Sequence, residues 1–188
     1  MKYSEIEKFT RSGNYEVNIS LGYVEQAIKD YEKTYNLQLN PDFQRGHVWS
    51  EKQQIAFMEF FLKGGRGSEV IYFNCNSFPD GEDVENNPMV CMDGLQRLTA
   101  IRKFLNNEIK VFGSFIDDYE DKDKMLRLIH SLRFNINNLK DKEEVLRWYI
   151  DFNSGGTAHS EAEIKRVQEI LEKEIEKTPS YSYEILIS

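Results

Sequence analysis

The stretch "MVCMDGLQRLTAIRKFL", residues 89–105, decides how the rest of the chain is read. "MVCM" has the apolar content of a short buried strand. Asp93 and Gly94 form a two-residue turn, and a helix follows whose first turn carries Gln96 and Arg97. A strand that hands directly over to a helix points to a mixed α and β architecture.

The same turn carries candidate chemistry. A helix N-terminus has unpaired N–H groups and a partial positive charge, so it attracts anions, phosphate above all. Gly94 can take a positive φ or let the backbone approach a ligand. Arg97 offers a forked donor that reaches an anion with two bonds, and Gln96 adds a neutral donor and acceptor. Asp93 repels bare phosphate. It makes sense if it bonds a ribose hydroxyl, holds a metal or fixes Arg97. A plain alternative has Asp93 capping the helix and Arg97 lying on the surface. Spacing alone does not separate these readings.

Two more stretches carry unusual side chains. "PDFQRGHVW", residues 41–49, packs Asp42, Gln44, Arg45, His47 and Trp49 into an irregular segment. Phe43 and Trp49 are expected to anchor it in the core, and Arg45 is the residue that would join Arg97 in an anion pocket. His47 is read as a surface or packing residue. "DFNSGGTAHSEAEI", residues 151–164, ends a helix near Asn153 and passes through a two-glycine turn into a new helix. Its N–H groups either form an anion nest or simply connect two helices. "KGGRGSE", residues 63–69, has glycines but lacks a lysine and hydroxyl at the spacing of a Walker loop, and it is read as a helix stop.

Elsewhere the pattern predicts a short strand at "YEVNIS", a helix over 21–36, and a helix over 51–63 opened by a Ser50/Gln53 capping box. Strands are expected at "EVIYFNC", "EIKVFG" and "LRFNIN", the last preceded by a short helix. Asp141 with Glu144, and Ser160 with Glu163, predict two further capped helices. The tail after residue 176 alternates Tyr181, Tyr183, Ile185 and Ile187, which is strand-like. One domain is expected over 1–176, with 177–188 as a tail.

The composition excludes some functions. A net charge of −8 over 188 residues argues against a broadly basic, non-specific DNA-binding surface. No apolar run approaches the roughly 20 residues of a membrane span, and the N-terminus has no apolar core of a signal peptide. A soluble, cytoplasmic protein without a membrane partner is expected. Cys75 and Cys91 are read as buried, reduced thiols, because no further ligand stands at metal-site spacing.

Taken together, "PDFQRGHVW", "MDGLQRLTAIRKFL" and "FNSGGTAHSEAEI" resemble, in order, the motifs of the N-terminal domain of GmrSD-type restriction enzymes. Those motifs run P-x-[FY]-Q-R-x-x-x-W, D-G-Q-Q-R-L-T and N-x-G-G-x-x-L-S-x-x-E, and the resemblance covers about residues 15 to 170. It implies an α+β fold similar to ParB and sulfiredoxin, with a small mixed sheet surrounded by helices. It implies a nucleoside triphosphate of unspecified base, with Mg²⁺, bound by Gln44, Arg45, Gly94, Gln96, Arg97 and Asn153. Asp93 and Arg97 become the candidate catalytic residues, with Asp93 the candidate metal ligand. The family works in defence against phage, where the nucleotide regulates a nuclease.

Two departures stand out. Leu95 replaces the first glutamine of D-G-Q-Q-R, which weakens the case for hydrolysis if that amide touches the nucleotide. No His-Asn-His-type nuclease domain follows residue 176, so cutting is expected to need a partner chain. The expected function is a stand-alone nucleotide-binding domain, with Mg-dependent nucleoside triphosphate hydrolysis left open, and with a nuclease chain or a defence protein as partner. The alternatives are a non-catalytic sensing or protein-binding module and, ranked last, a nuclease in its own right.

Overall fold

A computed structural model describes residues 15–44, 49–79, 81, 83–154 and 161–177. They fall into two compact units divided after Leu139. The first holds a four-stranded mixed sheet built from β1 (Tyr15–Ser20), β2 (Val70–Asn74), β3 (Val90–Asp93) and β4 (Ser131–Asn137). Its helices are α1 (Val24–Tyr35), α2 (Glu51–Leu62), α3 (Leu95–Leu105) and the short α4 (Lys122–Lys124), which runs into a π-helical turn at Met125–Ile129. The second unit contains α5 (Lys142–Ser154) and α6 (Glu161–Lys177), which pack on each other. The class is α+β, as the sequence predicts.

The strand order is β1-β4-β2-β3. β4 pairs antiparallel with β1 and parallel with β2, and β2 pairs antiparallel with β3. Alternation along β4 explains the layering, because residues two apart share a face. Leu132, Phe134 and Ile136 are fully buried, and their cross-strand neighbours Ile19, Val17, Ile71 and Phe73 lie on the same face. Val24, Ala27 and Ile28 of α1, Met58 and Phe61 of α2, and Leu98, Ile101 and Phe104 of α3 complete one continuous core. The opposite face mixes polar residues such as Asn18 and Asn135 with Val70 and Met92. Arg133 there reaches Glu16 at 3.4 Å and Glu69 at 3.6 Å.

The helix boundaries have identifiable causes. At α2, the Ser50 hydroxyl accepts from Gln53 N–H, and the Gln53 side chain accepts from Ser50 N–H at 2.9 Å. The predicted capping box is therefore formed in full. α1 stops at Asn36, which takes the left-handed conformation at φ 50° and ψ 46°. Asparagine tolerates that geometry better than most residues. The next residues turn back beside the sheet, where Gln38 bridges to the outer edge of β3: its N–H donates to Met89 O at 2.8 Å and its carbonyl accepts from Cys91 N–H at 3.0 Å.

One expected strand is absent. "EIKVFG" buries Ile109 and Val111 in alternation, which is the pattern that suggests a strand. No strand lies beside it among the described residues. Val111 instead bridges Ser114 across a tight turn in which Phe112 (φ 49°) and Gly113 (φ 80°) are both left-handed. The alternation marks two side chains reaching the core from a loop. Ser160, the expected cap of α6, and the strand-like residues 178–188 lie outside the described residues.

A bulge shapes the end of β3. Tyr72 stands opposite Asp93, while Phe73, one residue on, stands opposite Cys91. β3 therefore carries one residue more than β2 across this step. Such an insertion bends the strand and re-aims the neighbouring side chains. Cys91 stays in the core, and Asp93 emerges at the strand end, where α3 begins.

Candidate functional site

Gly94 links β3 to α3 and serves as the helix N-cap at φ 106° and ψ 5°. This overturns the plain reading in which Asp93 caps the helix: no side chain caps it. Positive φ is one reason for glycine here. Packing is the other. A Cβ on Gly94 would lie 2.6 Å from Ile71 Cδ1, 3.2 Å from Ile71 Cγ2 and 3.4 Å from Ile71 Cα. The bare face of Gly94 thus meets β2, inside the fold.

Asp93 and Arg97 form an ion pair between Oδ2 and Nη2, bridging the strand end and the first turn of the helix. The two side chains are 27% and 17% exposed, so the pair is sheltered yet reachable. Arg97 Nη1 also donates to Gly67 O at 3.4 Å, in the loop between α2 and β2. A guanidinium carries five N–H groups, and these two contacts leave the others for a further anion. Among the alternatives for Asp93, the one that fixes Arg97 is realised.

Gln96 faces the start of α2. Its Oε1 accepts from Trp49 N–H at 3.1 Å, and Trp49 O in turn accepts from Gln54 Nε2 at 2.9 Å. The Trp49 ring packs on Phe57 at 5.5 Å between centroids. Gln44 is buried, 8% exposed, against the carbonyls of β3 and its edge. One orientation of its amide donates to Met92 O at 3.3 Å. The flipped orientation donates to Cys91 O at 3.2 Å and Leu39 O at 3.3 Å, and it leaves fewer like groups facing one another. In either case Gln44 ties the "PDFQ" segment to the strand that ends in Asp93. Phe43 is buried, as expected.

Leu95 points away from the turn. It is 8% exposed and belongs to the main core. A glutamine here would place its amide among apolar side chains. Thr99 Oγ1 donates back to Leu95 O at 2.8 Å, and farther along α3 Arg102 grips Glu25 of α1 with bonds of 2.7 and 3.2 Å. These contacts hold the helix whose N-terminus faces the site.

Asn153 lies in the last turn of α5, in the second unit, buried, with its Nδ2 donating to Tyr149 O at 2.6 Å. Arg45, His47 and the two-glycine turn at 155–156 lie outside the described residues. Among the described residues no group of three or more His, Cys, Asp or Glu is placed to hold a metal ion. Both cysteines are free and buried, and burial pushes the Cys91 and Cys75 thiols up, which keeps them protonated and inert. No helix among the described residues is long and apolar enough to cross a membrane.

The site therefore joins three segments: the Asp93–Arg97 turn, the Gly67 carbonyl and the Trp49–Gln96 latch. Trp49 and Gln96 stand in the motifs, but that they meet, and that the Gly67 carbonyl meets Arg97, carries no signal in the sequence, since the partners lie 47 and 30 residues apart.

A family model described as GmrSD restriction endonuclease, N-terminal domain, matches residues 24–168. No curated protein and no solved structure matches the chain.

Proposed function

Because the chain belongs to the GmrSD N-terminal domain family, the N-terminal domain of restriction endonucleases, we propose that it is a nucleotide-binding regulatory domain acting with a nuclease domain in phage defence. The observation that carries this reading is Arg97, held by Asp93 at the N-terminal end of α3 with part of its fork uncommitted. A fixed guanidinium loses less freedom on binding an anion than a free one, and the helix dipole adds to its pull. Phosphate is the anion such a corner suits.

Among the described residues, Asp93 is the protein ligand that a Mg²⁺ at this turn would take. That fits an ion which keeps most of its waters and takes its other ligands from phosphate oxygens. When bound, the metal would supply charge neutralisation between phosphate groups. The chain's own contribution is to hold Arg97 and Asp93 in one geometry, with Gly67 bracing the guanidinium from the far side.

Within this reading, sensing is favoured over turnover. Hydrolysis needs a group that orients the attacking water. Leu95, at the position of the motif's first glutamine, is buried in the core, and Gln96 is engaged with Trp49 N–H. The fold relation to ParB and sulfiredoxin belongs to the same proposal, supported by the small mixed sheet and the strand-to-helix turn that bears the motif.

The test is a titration with ATP, GTP, CTP and UTP, each with and without Mg²⁺, read by thermal shift and calorimetry. A ligand that binds only the folded state raises its stability. One nucleotide is expected to bind, and Arg97→Ala to abolish its binding. Binding that is unchanged in Arg97→Ala would refute the site. Phosphate release at a steady rate would move the assignment from sensing to hydrolysis.

A further inference from the structure

The glycine-rich loop between α2 and β2, "KGGRGS" at residues 63–68, is more than a helix stop. Gly64 and Gly67 adopt φ of 80° and 81°, and a Cβ at either would meet nothing within 4 Å. Packing therefore does not require these glycines; backbone conformation does. The loop is braced from below, because Ser68 Oγ donates to Gly65 O at 2.6 Å and Gly65 rests on the Phe60 ring. Its Gly67 carbonyl accepts from Arg97 Nη1 at 3.4 Å, which puts the loop beside the Asp93–Arg97 pair.

Two features of this loop have no use within the fold. The N–H groups of Arg66 and Gly67 have no acceptor among the described residues. Consecutive N–H groups around a left-handed residue are the elements of an anion nest. The Arg66 side chain is exposed and makes no ion pair or hydrogen bond among the described residues. Its Cα stands one trans peptide, about 3.8 Å, from that of Gly67, whose carbonyl meets Arg97.

Charge arithmetic gives the loop a purpose. Asp93 and Arg97 together are neutral, so the pair alone does not balance a polyphosphate. Glu69, the acid next in the chain, is directed to Arg133. We infer that residues 63–68 form a second phosphate cradle of the nucleotide site, in which the Arg66 side chain and the N–H groups of Arg66 and Gly67 hold the terminal phosphate. This rests on the nucleotide-binding reading above and assigns the loop the discrimination between tri- and diphosphate. Arg97 holds the part of the chain common to both, and Arg66 closes on the phosphate that only the triphosphate has.

The experiment compares wild type, Arg66→Ala, Arg66→Lys and Arg97→Ala by calorimetry, using ATP, GTP, CTP and UTP and the corresponding diphosphates. Arg66→Ala is expected to weaken triphosphate binding about tenfold or more, the size of a charge-assisted bond. It should leave diphosphate binding and the unliganded melting temperature unchanged, and Arg66→Lys should recover part of the loss. Arg97→Ala is expected to lose both ligands. Equal weakening of tri- and diphosphate in Arg66→Ala, or none, overturns the assignment of the loop while Arg97 stands. Wild-type protein that binds none of the eight nucleotides overturns the nucleotide reading and this one with it.

Discussion

Replacing Gly94 with alanine tests whether the motif glycine serves the fold or the ligand. The added methyl meets two penalties. At φ 106° the backbone is left-handed, which costs a residue with a Cβ about 1–2 kcal/mol. The methyl would also lie 2.6 Å from Ile71 Cδ1 and 3.4 Å from Ile71 Cα. Ile71 is fully buried and cannot swing into solvent. Overpacking of this kind costs about 1–3 kcal/mol, so the sum is about 2–5 kcal/mol. For a protein of this size each kcal/mol lowers the melting temperature by about 2–4 °C.

The two penalties separate in a double-mutant cycle with Ile71→Val, which removes Cδ1, the first atom met. Alone, Ile71→Val should destabilise by about 0.5–1.5 kcal/mol. In the Gly94→Ala background it should cost less than that or even stabilise, giving a coupling of about 0.5–2 kcal/mol. The part of the Gly94→Ala effect that Ile71→Val does not relieve combines the conformational cost with the contacts to Cγ2 and Cα, which valine keeps. Urea unfolding with a constant m-value measures all four corners. Strict additivity would refute the packing argument. A Gly94→Ala variant as stable as wild type would refute both parts.

Other outcomes follow from the same geometry. Leu95→Gln, which restores the motif letter, should destabilise by about 2–4 kcal/mol, because it removes buried apolar area and places an amide in the core. It should not raise nucleotide turnover, and a thermal melt within 1 °C or so of wild type would show that the side chain has another place to go. His130 packs on Phe61 at 5.4 Å, and burial holds its imidazole below the usual range. A lowered folded pKa means that its contribution is complete above the unfolded value, about 6.5, and is lost as pH falls toward the folded one. Stability measured from pH 7 down to pH 5 should therefore fall less steeply in His130→Gln than in wild type, and parallel curves would exclude the histidine.

Local signals in this chain were legible and long-range ones were not. The Ser50/Gln53 box, the β-branched "VIYFN" strand and the strand-to-helix turn at Asp93 all arise from neighbouring residues, so their physics is written in adjacent letters. "EIKVFG" misled for the same reason: alternation reports which side chains are buried, and a strand also needs a partner beside it. The parallel pairing of β2 with β4, the closure of the β3 edge by Gln38 and the latch from Gln96 to Trp49 N–H depend on residues dozens of positions apart. The direction of Leu95 was hidden as well. A residue at the first position of a helix faces the core or the solvent according to the approach angle of the strand before it, and a one-residue bulge sets that angle here.

Asp93 and Gly94 are neighbours in the motif, yet they answer to different demands. The glycine is required by Ile71 and by its own φ; the aspartate is held, among the described residues, by Arg97. A lineage that abandoned its ligand would lose Asp93 and Arg97 to drift and would still retain the glycine, since every other residue there would unsettle the sheet. Survival of the glycine in a relative is thus a fossil of the fold. Only the acid and the arginine, kept together, would record selection on a task.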